Sequence, residues 1–287
     1  MTDDDYCLQR LGGSGSSLYY CLRFLPARER AWLMALQALA AEIMEVGEEC
    51  HDPGLARTKL DWWQQELRQA FDGRPSHPVT RALHPVMQAG LLDELALQDL
   101  IAASIQDIAP VRFATVAELR RHAQRTAGRI EALAAGLLGG SDAVTQAAAV
   151  ELGAAHARCR QLVSIGADVR RDRLYLASED LTRHGVRAAD IFGRRENDAW
   201  HALLSEQVDR LLASYDRILD ALPGSSRGAL LPGIVLAAQN RALLEEIRRL
   251  QYRLLSQRVA LTPLRRLWIS WRTLRRERRR AARSRSD

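Results

Sequence analysis

The sequence predicts an all-α fold organised as a single domain, and three observations predict it. Of 287 residues, 47% are hydrophobic, enough to bury a large core rather than remain disordered. Aromatic residues make up only 6%, while alanine and leucine, both strong helix formers, recur along the whole chain. β-Branched residues never gather into strand-like runs. The length suits one large helical domain, and no linker is long enough to divide it.

Taken in order, residues 1–16 read as a flexible N-terminal segment, because 12–17 run Gly-Gly-Ser-Gly-Ser-Ser. Such a loop can cradle phosphate through its N–H groups, but more often it is a plain linker. A helix from Ser17 breaks at Pro26, and a second runs from Arg28 to Glu49, ending near the turn Asp52-Pro53-Gly54. Residues 55–72 form an amphipathic helix carrying Trp62, Trp63 and Leu67. The turn Gly73-Arg74-Pro75 then leads into a helix through His77-Pro78-Val79. Further helices are expected over 91–108, 115–138, 142–168, 200–221, 227–257 and 263–280. Between them, 170–195 reads as a surface segment with one short helix. Thr115 stands three residues before Glu118 as a capping box, and Ser141-Asp142 follows the stop Gly139-Gly140.

The net charge of +6 is local. From Arg272 onward there are eight arginines against Glu277 and Asp287, which leaves 33 basic and 33 acidic residues upstream. A neutral body with a basic tail, residues 275–287, suggests contact with an anionic surface and speaks against nucleic acid. Cys7, Cys21, Cys50 and Cys159 form no CxxC pair, so neither a zinc site nor a disulfide framework is expected, and a reduced cytoplasm fits. The acidic start, Met1-Thr2-Asp3-Asp4-Asp5, lacks the positive charge of a signal peptide. The most apolar stretch, Gly228 to Ala238, is too short to span a membrane.

Residues 131–157 are rich in small side chains, among them Ala134, Ala135, Gly136, Gly153, Ala154 and Ala155. Small residues permit close helix approach, the favoured reading, or they leave a wall for a long apolar ligand.

Several stretches stand out together: Ser17-Leu18-Tyr19-Tyr20 with Arg23-Phe24-Leu25-Pro26, then Asp52-Pro53-Gly54-Leu55-Ala56-Arg57 leading into Lys59-Leu60-Asp61-Trp62-Trp63 and on to His77-Pro78-Val79. Arg171-Asp172-Arg173-Leu174-Tyr175-Leu176 and Gln257-Arg258-Val259 complete the set. Together, and in this order, they resemble the squalene/phytoene synthase family. The resemblance implies the isoprenoid synthase fold, a helical bundle around an apolar pocket, occupying residues 17–274. In active members two facing helices each carry a D-x-x-x-D stretch. Carboxylates four apart share one helix face, so the pair can hold several Mg²⁺ ions that bind and release diphosphate.

At the corresponding positions this sequence departs from the pattern. The first stretch falls on Met44-Glu45-Val46-Gly47-Glu48, and the second on Ser164-Ile165-Gly166-Ala167-Asp168, with Arg160 and Val163 where the family carries Asn and Arg. A thioether is a poor ligand for a hard cation. Glu45, Glu48 and Asp168 are the remaining candidates for a vestigial metal site, although Glu42, Glu45, Glu48 and Glu49 can equally form a solvated helix face. By resemblance, Ser17, Tyr20, Arg171, Arg173 and Tyr175 stand near the diphosphate or the pocket mouth. Core packing is the other reading for the two tyrosines.

These losses predict a protein without ordinary catalysis and without a cofactor. Its expected ligand is a prenyl diphosphate or a lipid-like apolar molecule. The alternative is an active Mg²⁺-dependent prenyl transferase with a rebuilt site. Near the end, Leu261-Thr262-Pro263-Leu264 and Ser270-Trp271-Arg272 resemble the family branch that serves in respiratory complex I assembly, which implies a protein partner. Leu264, Leu267, Trp268, Trp271 and Leu274 fall on one helical stripe bordered by Arg265, Arg266, Arg272, Arg275 and Arg276. Either this stripe closes the core, or Trp268, Trp271, Arg272, Arg275 and Arg276 meet an anionic membrane, placing the protein peripherally on its inner face.

Overall fold

In the computed structural model, residues 1–283 are described except 14, 15, 51, 107 and 109–111, and the side chains of 48, 49 and 106 also lie outside the description. The helices are α1 (Asp3–Arg10), α2 (Ser17–Leu22), α3 (Ala27–Glu49), α4 (Pro53–Phe71), α5 (Pro78–Gln88), α6 (Glu94–Gln106), α7 (Val116–Ala123), α8 (Arg129–Leu137), α9 (Ala143–Arg170), α10 (Ser178–Arg183), α11 (Ala188–Phe192), α12 (Asp198–Ala221), α13 (Leu231–Arg249) and α14 (Pro263–Arg283). Their starts follow the capping chemistry written in the sequence. Asp52 accepts from the Leu55 amide ahead of α4, with Pro53 in the first turn. Thr115 and Glu118 close the expected capping box, and Asp142 caps α9.

Two apolar cores meet along α8 and α9. One joins α1, α3, α4, α5 and α6 around Leu36, Leu39, Leu60 and Leu83. The other joins α9, α12 and α13 around Trp200, Leu204, Tyr215 and Leu244. The segment predicted as one helix over 115–138 is instead split by a π-helical turn at Gln124–Gly128. That turn brings backbone onto α9, where a Cβ on Gly153 would lie 2.4 Å from the Ala127 carbonyl oxygen and one on Gly128 would lie 2.7 Å from that of Val150. Close helix approach is therefore what the small residues serve at this crossing.

Three further segments differ from expectation. Residues 3–10, assigned to a flexible lead-in, form α1, because Thr2 and Asp5 cap it reciprocally and Cys7 buries against α3 and α5. The helix expected to reach residue 257 ends at Arg249, since Gln251 and Tyr252 take positive φ values of 52° and 60° and reverse the chain. The Tyr252 hydroxyl anchors that reversal by donating to Ser205 Oγ at 3.0 Å. Finally, the domain does not stop at residue 274. Helix α14 continues to Arg283, and its Glu277 is buried in a two-pronged ion pair with Arg227, 2.6 and 3.2 Å. Gln239 on α13 ties α14 down by donating to Ser270 Oγ at 2.9 Å.

Two predictions follow from the packing at α9. Gly153→Val forces backbone apart at the Ala127 contact and should cost about 2–3 kcal/mol in urea unfolding. His156, buried on the same helix, has its imidazole pushed down from 6.5 to about 3 by burial. Its protonation favours the unfolded chain, so this contribution to stability is full above pH 6.5 and is lost as pH falls toward 3. Urea unfolding across this range should therefore show a shallower acid loss in His156→Gln than in wild type.

Candidate functional site

A cavity of about 1010 Å³ opens between the two cores. Helix α3 contributes Gln37, Ala40, Ala41, Met44 and Glu45, and α9 lines it from Gly153 to Arg170. The seventeen helical steps between those two residues of α9 make the cavity roughly 25 Å long. Small residues here serve as wall: Ala127, Gly153, Ala157, Gly166 and Ala167 all face it. The C-terminal ends of α3 and α9 converge at one end, where the Arg173 guanidinium donates to the Gly47 carbonyl. Met44 and Ser164 both line the cavity.

The predicted site residues part company there. Ser17 and Glu45 line the cavity. Asp168 lies beside it and accepts a hydrogen bond from Ser164 Oγ at 2.6 Å. Arg173 is buried between Gly47 and the Tyr175 hydroxyl, to which it donates at 3.3 Å, so it joins two helix ends. Tyr175 is buried against Leu119 and Phe113 and does not face the cavity, in keeping with the packing alternative. Tyr20 packs edge-on against Tyr19, and Arg171 is exposed; neither lines the cavity. The side chain of Glu48 lies outside the described residues. Among the described residues, no three His, Cys, Asp or Glu side chains stand together as a metal-binding group.

The sequence reading missed the residue that dominates the mouth. Arg10, at the end of α1, donates from Nε to Glu42 at 2.7 Å and forms an ion pair with Glu45. Tyr6, one turn earlier, donates to the same Glu42 carboxylate at 2.6 Å. The two acids on α3 therefore face a guanidinium supplied from within the chain. Arg160, Arg170, Arg194 and Arg258 line the same cavity. Arg194 and Arg258 belong to segments set by the reversal at 251–252, since Arg194 donates to the Leu255 carbonyl at 3.2 Å.

Toward the Gly153 end the wall turns polar. His156, Glu131 and Asn240 line it together. Asn240 donates to His156 Nδ1 at 3.1 Å and to the Tyr215 hydroxyl at 2.9 Å, which assigns the imidazole proton to Nε2. Burial lifts the Glu131 carboxyl from 4.5 to about 7. No sequence pattern marked these residues, which lie on four helices.

On the outside, α14 turns Leu264, Trp268 and Trp271 outward, at 80%, 52% and 45% exposure, while Ile269, Ser270, Leu274 and Glu277 face the core. The expected stripe thus divides: Leu274 closes the core and the two tryptophans do not. Arg272 stacks over Trp268 at 5.1 Å and Arg275 over Trp271 at 4.8 Å. With Arg276 exposed beside them, the face is aromatic and cationic at once. No described helix is long and apolar enough to cross a membrane.

This arrangement, a helical bundle with facing helices around an elongated cavity, has relatives. The family model described as squalene/phytoene synthase matches residues 11–265. Phytoene synthase from Thermus thermophilus is 29% identical over 266 residues, covering 91% of this chain and 89% of that protein. Phytoene synthase from Arthrospira platensis is 23% identical over 267 residues, covering 88% and 86%. Among solved structures, a dehydrosqualene synthase in complex with ligand superposes with a TM-score of 0.81 at 21% identity, covering 95% of each chain. The squalene synthase HpnC from Alicyclobacillus acidocaldarius gives 0.71 at 24% identity, covering 87% of this chain and 94% of that one. The structural likenesses speak for the fold, and the match along nearly the whole sequence speaks for descent: this chain belongs to the squalene/phytoene synthase family.

Proposed function

We propose that this family member does not ionise prenyl diphosphates but holds an anionic amphiphile, of prenyl diphosphate or lipid type, without a divalent metal. One observation carries the reading: the Arg10 guanidinium pairs with Glu45, the described acid of the first motif that lines the cavity, and is held there by Glu42 as well. A metal ion entering there would have to displace a charge that is covalently part of the protein. Among the described residues the remaining donors do not make a site for Mg²⁺, which takes hard oxygen ligands in near-octahedral array at about 2.0–2.1 Å. Met44 offers sulfur, Ser164 already donates to Asp168, and Ala167 offers nothing. Each lost electrostatic partner of a transition state commonly costs about 10²–10³-fold in rate. Arg170 and Arg258, which line the cavity, can instead meet phosphate oxygens directly.

The outer face of α14 supports a place at an anionic membrane. Indole rings suit the interface between headgroups and acyl chains, and the stacked arginines reach anionic lipid. On this reading the protein works peripherally, on the cytoplasmic face. The likeness of its Ser270-Trp271-Arg272 segment to the complex I assembly branch favours a carrier or assembly role with a protein partner over a synthetic one.

Purified protein supplied with farnesyl or geranylgeranyl diphosphate and Mg²⁺ or Mn²⁺ should release no inorganic diphosphate above the protein-free rate. Sustained release that disappears in Asp168→Asn would instead establish the rebuilt metal site. Flotation with phosphatidylglycerol vesicles should recover the protein, less so at high salt. Replacing Trp268 and Trp271 together by Ser should reduce recovery at least about tenfold. Equal flotation on neutral phosphatidylcholine vesicles contradicts the membrane assignment.

A further inference from the structure

We propose that the Gly153 end of the cavity, built around Glu131, is a subsite for an uncharged hydrogen-bonding group, a hydroxyl or carbonyl, at the far end of the bound amphiphile. This deepens the preceding reading and rests on it, because it names which anionic amphiphile the cavity selects.

Three observations carry the inference. First, Glu131 lines the cavity, and its carboxyl has no hydrogen-bond or ion-pair partner among the described residues. Other acids near the cavity are engaged: Glu42 and Glu45 by Arg10, Asp168 by Ser164. A carboxyl left unpartnered beside an apolar wall is costly unless something else completes it. Second, the chain makes room for this side chain at two places. A Cβ on Gly233 of α13 would lie 2.2 Å from Glu131 Oε1, and one on Gly153 of α9 would lie 2.8 Å from Glu131 Cβ. A side chain at Gly233 would occupy the carboxyl's own space and one at Gly153 would press on the Glu131 Cβ, so the residue is seated between two helices. Third, its neighbour Asn240 is already committed, donating to both His156 Nδ1 and Tyr215, while the buried His156 Nε2 has no hydrogen-bond partner among the described residues and adds a second polar group to this end.

The chemical class follows from charge. Arg160 lines the cavity one helical turn from His156 on α9, so an ammonium group at the inner end would meet a cation close by. A hydroxyl or carbonyl meets no such opposition. Burial already inclines Glu131 toward its neutral form, in which it can donate to a carbonyl or exchange hydrogen bonds with a hydroxyl. A wholly hydrocarbon end would leave the carboxyl dry and unpaired, a difference of roughly ten- to a hundredfold in affinity. From His156 to Arg170, α9 rises roughly 21 Å, so the polar end and the arginine end are separated by the length of a long chain.

Titration calorimetry with hexadecyl phosphate, 16-hydroxyhexadecyl phosphate and 16-aminohexadecyl phosphate, below their micelle concentrations and in EDTA, decides the matter. Wild type should bind the hydroxylated chain at least about tenfold more tightly than the other two. Glu131→Leu should abolish or invert that preference, and Glu131→Gln, which keeps donor and acceptor, should retain most of it. Thermal unfolding of both variants verifies that they fold, and Glu131→Gln serves if the leucine variant does not. Equal affinity for hexadecyl and 16-hydroxyhexadecyl phosphate overturns the subsite while leaving metal-free amphiphile binding intact. Preference for the amine overturns it in favour of a cation site. Failure of wild type and variants to bind any of the three removes the parent reading, and the subsite with it.

Discussion

The site depends on one ion-paired cluster, the guanidinium of Arg10 against the carboxylates of Glu42 and Glu45. It fixes α1 to α3, with Tyr6 adding a second donor, and sets the charge of the cavity mouth. A pair that is largely withdrawn from water is worth keeping only when its geometry and hydrogen bonds are complete. Here one guanidinium serves two acids, and an adjacent phenol satisfies one of them further. The same contact that holds the N-terminal helix therefore engages Glu45 at the cavity mouth, linking the stability of one element to the charge of another.

Around that cluster the molecule divides its cavity by polarity. Arg170, Arg194 and Arg258 gather toward the C-terminal end of α9, and small residues line the wall along its length. A seated carboxyl with a hydrogen-bonded His156–Asn240–Tyr215 group closes the Gly153 end. The π-helical turn at Gln124–Gly128 and the glycine contacts on α9 bring these walls together without filling the space between them. Outside, α14 is bound to the body by Gln239 and Glu277 on one face and leaves two arginine-stacked tryptophans on the other.

Much of this fold is legible in the sequence, because its signals are local. Capping at Asp52, Thr115 and Asp142, and breaks at Pro26 and Gly73, lie within a few residues of what they control. Helix α1 escaped because it is short and acidic, and what orders it is distant: Arg10 pairs with a residue 32 positions away. The end of α13 escaped because Gln251 and Tyr252 adopt left-handed backbone that only tertiary contacts enforce on such residues. On α14 the apolar spacing was plain, but which face packs depends on Arg227 and Gln239 in other helices.

The site was legible in the same uneven way. Met44 and Ser164 stand out in the sequence because motif spacing on two helices says where carboxylates belong. Arg173 and Tyr175 carried the same motif signal, yet their side chains join helix ends and fill core. Arg10 and Glu131 gave no signal, since their meaning comes from what they face: one meets two acids across the bundle, the other meets no hydrogen-bond partner among the described residues.

Whether an arginine within the chain, rather than magnesium, meets the charge at the cavity mouth is decided by titrating farnesyl diphosphate into the protein with excess Mg²⁺ and again with EDTA. The affinity should be the same in both and weaken about tenfold or more in Arg10→Gln. Binding that requires magnesium, and survives the loss of Arg10, would contradict this expectation.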